Sequence, residues 1–348
     1  MTQSWQAHLA ASGATIADAR VAHFGDPAAE LRAAKSGTIV CDLSHLGVIG
    51  FAGADAQSFL QGQVSCDVDR VGAGASTYGS YNTPKGRMLA AFLLWRDADG
   101  VLMQLPAELV TAIKDRLAKY VLRARVKVRD ASDESVRIGL GGAGARALLE
   151  NALGGAPGGV HEVAQLAGAT VLGLPGGRWE IIAPPDRASA LWDTLRAQAV
   201  SVGAPCWDWL EIVCGVPAIV PATQDRFVPQ MANLDLIGGV SFDKGCYPGQ
   251  EIVARTRYLG QIKRRMILAH VDAGAPEPGD ELFSPGFDGQ ASGTIVSSAP
   301  SPDGGHDVLA VVRIEAGAGG GLRLKSADGP LLELRELPYA LPLAERRN

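Results

Sequence analysis

The sequence predicts an α+β protein of mixed helices and strands that ends in a small all-β module. Three observations predict it. Over the first 130 residues the apolar spacing alternates between strand and helix periods. From Pro106 onward, Leu109, Val110, Ile113, Leu117, Tyr120 and Val121 fall on one helical face. After about residue 262 the texture changes to short apolar runs between turns rich in Gly, Pro, Asp and Ser. Those runs, Arg265–Val271, Gly293–Ser298, Val308–Ile314, Leu322–Lys325 and Leu331–Leu337, read as strands of a barrel or sandwich.

In order along the chain, Thr38–Val40 and Val48–Phe51 have strand character. Asp55 is placed to cap a short helix bearing Phe59 and Leu60. Met88–Trp95 is a buried-strand candidate. Pro106 opens the amphipathic helix, and Val126 and Val128 then alternate with Lys127 and Arg129 as in a half-exposed strand. Gly139, Gly141 and Gly144 formally satisfy a G-x-G-x-x-G pattern between a strand and the helical run Ala145–Leu153. No second strand ending in an acidic residue follows, so a close strand–helix turn is the better account. Trp179–Ala183 is a further strand, and Asp186 is placed to cap a helix carrying Leu191, Trp192 and Leu195. Gly317–Gly321 reads as a loop tip. The chain divides by texture into residues 1–130, 131–262 and 263–348, in keeping with its length.

Composition bounds the function. The chain has 348 residues, 47% of them hydrophobic, and a net charge of −5. Disorder is not expected, and direct nucleic-acid binding is not expected from the overall charge. Five cysteines, at 41, 66, 206, 214 and 246, include no C-x-x-C pair. Neither a disulfide framework nor a zinc site is indicated, and the six scattered histidines show no metal-pair spacing. No secretory signal or bilayer-length apolar run is present, so a cytoplasmic location away from membranes is expected.

The densest chemistry lies in Asp243–Glu251. Nine residues hold a cysteine, a lysine, two glycines, a glutamine and a glutamate. Pro248 can open a helix over Gln250–Arg255. Cys246 then sits just ahead of the helix N-terminus, two residues from Lys244, and both favour thiolate. The bland alternative is a cysteine in a tight turn. From Asp243 to Arg265 there are six basic residues against two acidic. This is either a solvated face or a cationic rim for an anionic ligand such as an RNA or an acidic protein. Upstream, Gln230, Asn233 and Asp235 offer hydrogen-bonding groups that can read the polar edge of a ligand or serve turn chemistry. Trp207 and Trp209 offer flat faces for stacking or for the core.

Lys244-Gly245-Cys246-Tyr247-Pro248-Gly249-Gln250-Glu251 resembles the K-G-C-[FY]-x-G-Q-E signature of the YgfZ family. These are folate-binding proteins related to the aminomethyltransferase (T-protein, GcvT) of the glycine cleavage system. The flanks Phe227–Leu234, Gly238–Phe242 and Glu251–Thr256 fit as well. So do Gly53-Ala54-Asp55, Phe59–Val64, Asp67-Val68 and Lys85–Met88. The resemblance runs from about Leu43 to Tyr339. It implies a GcvT-like folate-binding fold, of two mixed subdomains plus a C-terminal small β-barrel, with tetrahydrofolate or a derivative as cofactor. It further implies work in iron–sulfur cluster assembly or repair and in iron–sulfur-dependent tRNA modification. Iron–sulfur proteins or assembly factors are then the expected partners.

On this resemblance Cys246 and Lys244 are the expected catalytic pair. Trp207 falls where the family places a folate-contacting tryptophan. Gln230, Asn233, Tyr247, Gln250, Glu251 and Arg255 are the other expected cofactor-binding residues. One departure stands out. T-proteins carry a pterin-gripping glutamate in a Leu-Arg-x-Glu-x-Gly segment, and the matching stretch Leu210–Gly215 has Val213 there. Three readings follow: an accessory protein with a reactive thiol, a tetrahydrofolate-dependent aminomethyltransferase, and a folate-binding module without chemistry.

Overall fold

Thr38–Asp42 and Val136–Gly142 are apolar runs that bury nearly every side chain. They pair antiparallel, with Cys41 opposite Gly139. Around them the computed structural model, which describes residues 1–258 and 262–342, builds a six-stranded sheet. Its order is Val163–Leu166, Ala169–Leu174, Arg178–Ala183, Val136–Gly142, Thr38–Asp42 and Val200–Val202. All neighbours are antiparallel except the last pair, which is parallel. Trp5, Leu148, Leu149, Trp192 and Leu195, from the helices Gln3–Ala11, Ala145–Leu153 and Pro185–Arg196, join one buried cluster with Val40, Ile138 and Ile181 of the sheet. Burying each such side chain contributes about 1.5–3 kcal/mol.

The chain folds as two interleaved units. One comprises Met1–Ala56, Arg70–Thr77 and Leu93–Leu210; the other comprises Gln57–Asp69, Tyr78–Phe92 and Glu211–Asn348. Residues 259–261 and 343–348, within the second and third parts expected from texture, lie outside the described residues. The first unit also contains Leu46–Ala52, paired antiparallel with both Gly100–Pro106 and Lys127–Asp130. The helix Ala107–Ala118 buries Leu109, Val110, Ile113 and Leu117. Tyr120 and Val121, expected on that face, lie beyond its end, and Tyr120 is exposed.

The second unit holds a curled six-stranded half-barrel, so the expected C-terminal β module is present. Its order is Arg323–Leu324, Glu281–Phe283, Gly293–Pro300, His306–Arg313, Arg264–Val271 and Glu333–Arg335, antiparallel throughout. Leu282, Ile295, Val308, Ala310, Val312 and Leu324 fill its concave core. Glu211–Gly249 contributes the end of one helix and then long irregular backbone, with only the short 3₁₀ turns Pro221–Thr223 and Pro229–Ala232.

Some local details are set by other partners. The Asp55 carboxylate, expected to cap Ala56–Gln61, accepts the Arg125 backbone N–H at 2.8 Å. Pro184 rather than Asp186 is the N-cap of Pro185–Arg196, and Asp186 lies in its first turn. A short helix, Ile314–Gly319, occupies most of the expected loop tip. The G-x-G-x-x-G glycines are explained by packing. A Cβ on Gly139 would lie 2.5 Å from the Trp207 ring, and Gly144 accepts no side chain beside Thr38 Oγ1, 2.7 Å away. No helix among the described residues is long and apolar enough to cross a membrane.

Candidate functional site

The Cys246 loop is held by a short segment far away in sequence. Ser65 sits at the hub. Its N–H bonds to the Ser80 carbonyl at 3.0 Å, and its carbonyl accepts the Ser241 N–H at 2.9 Å. Its hydroxyl donates to the Gly239 carbonyl at 2.6 Å and accepts the Ser80 N–H at 2.8 Å. Val64, on one side, bridges to Tyr81. The same segment then receives Lys244. Its Nζ donates to the Val64 and Cys66 carbonyls, both at 2.7 Å. The ammonium also lies 5.3 Å over the Tyr247 ring. Lys244 is thus directed at backbone oxygens, and it pins the loop that carries Cys246.

On the far side of Cys246 the chain enters the helix Gln250–Tyr258, so the expected helix is present. Gly249 has φ +80. A Cβ there would lie 2.5 Å from Gly86 Cα and the Thr83 carbonyl, so only glycine fits. Gln230 braces the helix from behind by donating to the Val253 carbonyl at 2.6 Å. Two anchors therefore flank Cys246, the Lys244 ammonium before it and the Gly249 contact after it.

Among the five cysteines, Cys246 is exposed and Cys41, Cys66, Cys206 and Cys214 are buried. Burial pushes the Cys66 thiol up to about 12, although the Lys244 charge works the other way. Cys206 is likewise pushed to about 12, mainly by burial. Burial also holds Cys41 well above the usual thiol range. Lys244 is brought down to about 8 by burial, against the pull of Cys66, Asp67 and Asp69. Desolvation raises the Tyr247 phenol.

The other expected site residues are distributed as follows. Tyr247 is buried in the loop, Gln250 is half-buried at the helix start, and Glu251 and Arg255 are exposed on that helix. Asn233 is fully buried, with φ +56. Its amide donates to the Met266 carbonyl at 2.9 Å and accepts the Met266 N–H at 3.3 Å. Both edges are therefore occupied in holding the C-terminal sheet, because an irregular turn needs a side chain to satisfy strand backbone. Asp235 has a structural partner too: Arg265 grips its carboxylate at 2.7 and 3.0 Å. Trp207, in the other unit, is 1% exposed. Arg178 lies 4.9 Å over its ring and Gly139 abuts it, so a stacking ligand would have to displace the guanidinium. Trp209 is also buried.

Sequence reasoning missed Ser65, Ser80 and Asn82. Asn82 ends the strand Thr77–Asn82 and is 2% exposed, with both amide atoms unpartnered. The Tyr247 hydroxyl and Gln230 Oε1 are also buried without a partner. A polar residue closing an otherwise strand-like run was the one available signal for Asn82; nothing marked the serines.

Residues 1–237 match the family model described as the GCVT N-terminal domain. The aminomethyltransferase T of the glycine cleavage system from Bartonella henselae superposes with a TM-score of 0.78, covering 97% of both chains at 20% identity. The chain is thus a protein of the GcvT-like fold, with a cysteine-bearing loop pinned on its second unit. Among curated proteins, the tRNA-modifying protein YgfZ of Sodalis glossinidius (strain morsitans) is 31% identical over 303 residues, 86% of this chain and 92% of that one. The protein of the same name from Escherichia coli (strain K12 / DH10B) is 32% identical over 293 residues, 83% and 89% of the two chains. The chain belongs to the YgfZ family.

Proposed function

We propose that this protein is a folate-binding factor acting in tRNA modification, with Cys246 as its reactive thiol and iron–sulfur proteins as its clients. The observation that carries the reading is the presentation of Cys246: exposed, on a loop fixed at both ends, in a chain similar to proteins named for tRNA modification. A thiol that serves only as core filling has no need of such anchorage.

The folate part rests on the fold and on unmatched polar atoms. A pterin edge alternates donors and acceptors, and Asn82 has one buried donor and one buried acceptor without partners. The Tyr247 hydroxyl and Gln230 Oε1 supply two more. Each of these groups is of a kind that a polar heterocycle can pair with, whereas the Asn233 amide is already engaged. Tetrahydrofolate, when bound, carries one-carbon groups. The chain's part is to bind and orient it, with Arg255 available to a glutamate tail. An aminomethyltransferase reading is disfavoured by Val213, which offers no carboxylate where T-proteins hold the pterin.

The test is complementation of a strain lacking its family protein, with wild type and Cys246→Ala side by side, reading thiolated tRNA nucleosides. Wild type is expected to restore them and Cys246→Ala to fail at equal protein level. Full rescue by the alanine variant would remove the thiol from the reading. Folate titration followed by tryptophan fluorescence and calorimetry tests the cofactor separately.

A further inference from the structure

The first residues of the C-terminal sheet break an electrostatic rule. In the register of Arg264–Val271 with His306–Arg313, Arg264 stands directly opposite Arg313. Directly opposed residues share one face, and like charges there repel. Arg87 adds a third charge. Burial, then Arg313, then Arg87 hold the Arg264 guanidinium below its ordinary pKa. Among the described residues none of the three has a carboxylate partner: Arg87 donates to the Asp225 carbonyl at 3.1 Å, and Arg313 lies 5.1 Å over the Phe287 ring. The adjacent Arg265 is treated differently, with the Asp235 carboxylate at 2.7 Å. The fold neutralises one arginine and leaves three others together. Exposed Lys85 and Lys263 extend the cluster along the chain.

We propose that Arg87, Arg264 and Arg313 bind the phosphodiester backbone of an RNA. Local violations of good pairing concentrate where a partner completes them. Guanidinium groups are planar forks that match phosphate oxygens two at a time. Three of them with two flanking lysines exceed what one phosphate needs, so a chain of phosphates is the better fit. The choice of RNA among polyanions rests on the tRNA reading above. The overall charge of −5 argued against nucleic acid, but the arginine face is local and escapes that average. Its position is also suitable. Arg87 closes the turn Thr83–Arg87, and Gly86 in that turn packs on the helix after Cys246, where a Cβ would lie 3.0 Å from Ile252 Cβ. RNA held here would run beside the thiol loop.

The test is fluorescence anisotropy of the full-length protein with a labelled tRNA transcript between 50 and 200 mM salt. Arg264→Gln, Arg313→Gln and Arg87→Gln are each expected to weaken binding several-fold. Each should also lower the slope of log K against log salt by about one. Arg264→Lys keeps the charge and should keep the slope. Arg32→Gln, in the other unit, should change neither. Arg264→Gln and Arg313→Gln relieve repulsion, so their thermal midpoints should not fall, which separates lost binding from misfolding. Equal binding by the glutamine variants, no binding by wild type at 50 mM salt, or dependence on these arginines for tri-glutamate but not for RNA would each overturn the proposal. Folate titration of the same variants keeps the two readings apart. A protein that binds RNA but no folate sinks the earlier reading alone, and one that complements without binding RNA sinks this one alone.

Discussion

Cys246 is exposed while the other four thiols are buried, and Cys66 and Cys206 are pushed to about 12. In native protein at pH 7, iodoacetamide is therefore expected to modify Cys246 at least ten-fold faster than any other cysteine, read by mass spectrometry of peptides. Early labelling of Cys66 or Cys214 would contradict the burial. Gly249 adopts φ +80 against the Thr83 carbonyl and Gly86. Gly249→Ala should cost at least about 2 kcal/mol in urea unfolding, from left-handed strain and backbone overlap together. Lys244 titrates at about 8 in the folded chain against an ordinary 10.5. The unfolded state then binds more protons between those values, so this group's contribution to stability rises with pH across that window. The urea midpoint of wild type relative to Lys244→Met should climb from pH 8 to 10. A flat difference would mean that the ammonium is not desolvated. The importance of Lys244 and Gly249 was legible in the signature. Their roles as anchors were not, because the carbonyls and backbone they meet lie some 160–180 residues earlier.

At the scale of elements, the irregular stretch before the loop depends on side chains doing what ladders do elsewhere. Asn233 joins the turn Pro229–Ala232 to Met266, and Asp235 holds Arg265 in a pair almost wholly removed from water. Asp235→Ala strands a buried guanidinium and should destabilise the second unit by about 3–5 kcal/mol. Chemical denaturation checks the size, and a loss below about 1 kcal/mol would show that solvent already reaches the arginine. Periodicity revealed the strong elements, such as the helix Ala107–Ala118 and the strand Met88–Arg96. The capping expectation failed at Asp186, which lies in the first turn of a helix whose N-cap position is Pro184.

For the whole molecule, the interleaving of the two units has a consequence for truncation. The second unit draws on Gln57–Asp69, Tyr78–Phe92 and everything from Glu211 onward. A fragment ending at residue 262 would lose Met266 and Arg265, the partners of Asn233 and Asp235. Limited proteolysis should then cut its 211–258 region rapidly while sparing the intact chain. The sequence by itself determined the family, the α+β class, the C-terminal β module and the loop that matters, since these follow from local spacing and from a contiguous signature. Tertiary structure alone decided that Trp207 lies beneath Arg178, that Asn233 is a brace, and that Ser65 carries the thiol loop. It also decided that Arg264 and Arg313 stand directly opposite each other, with no carboxylate partner for either among the described residues. Those facts depend on which distant segments meet, and burial and pairing are properties of that meeting.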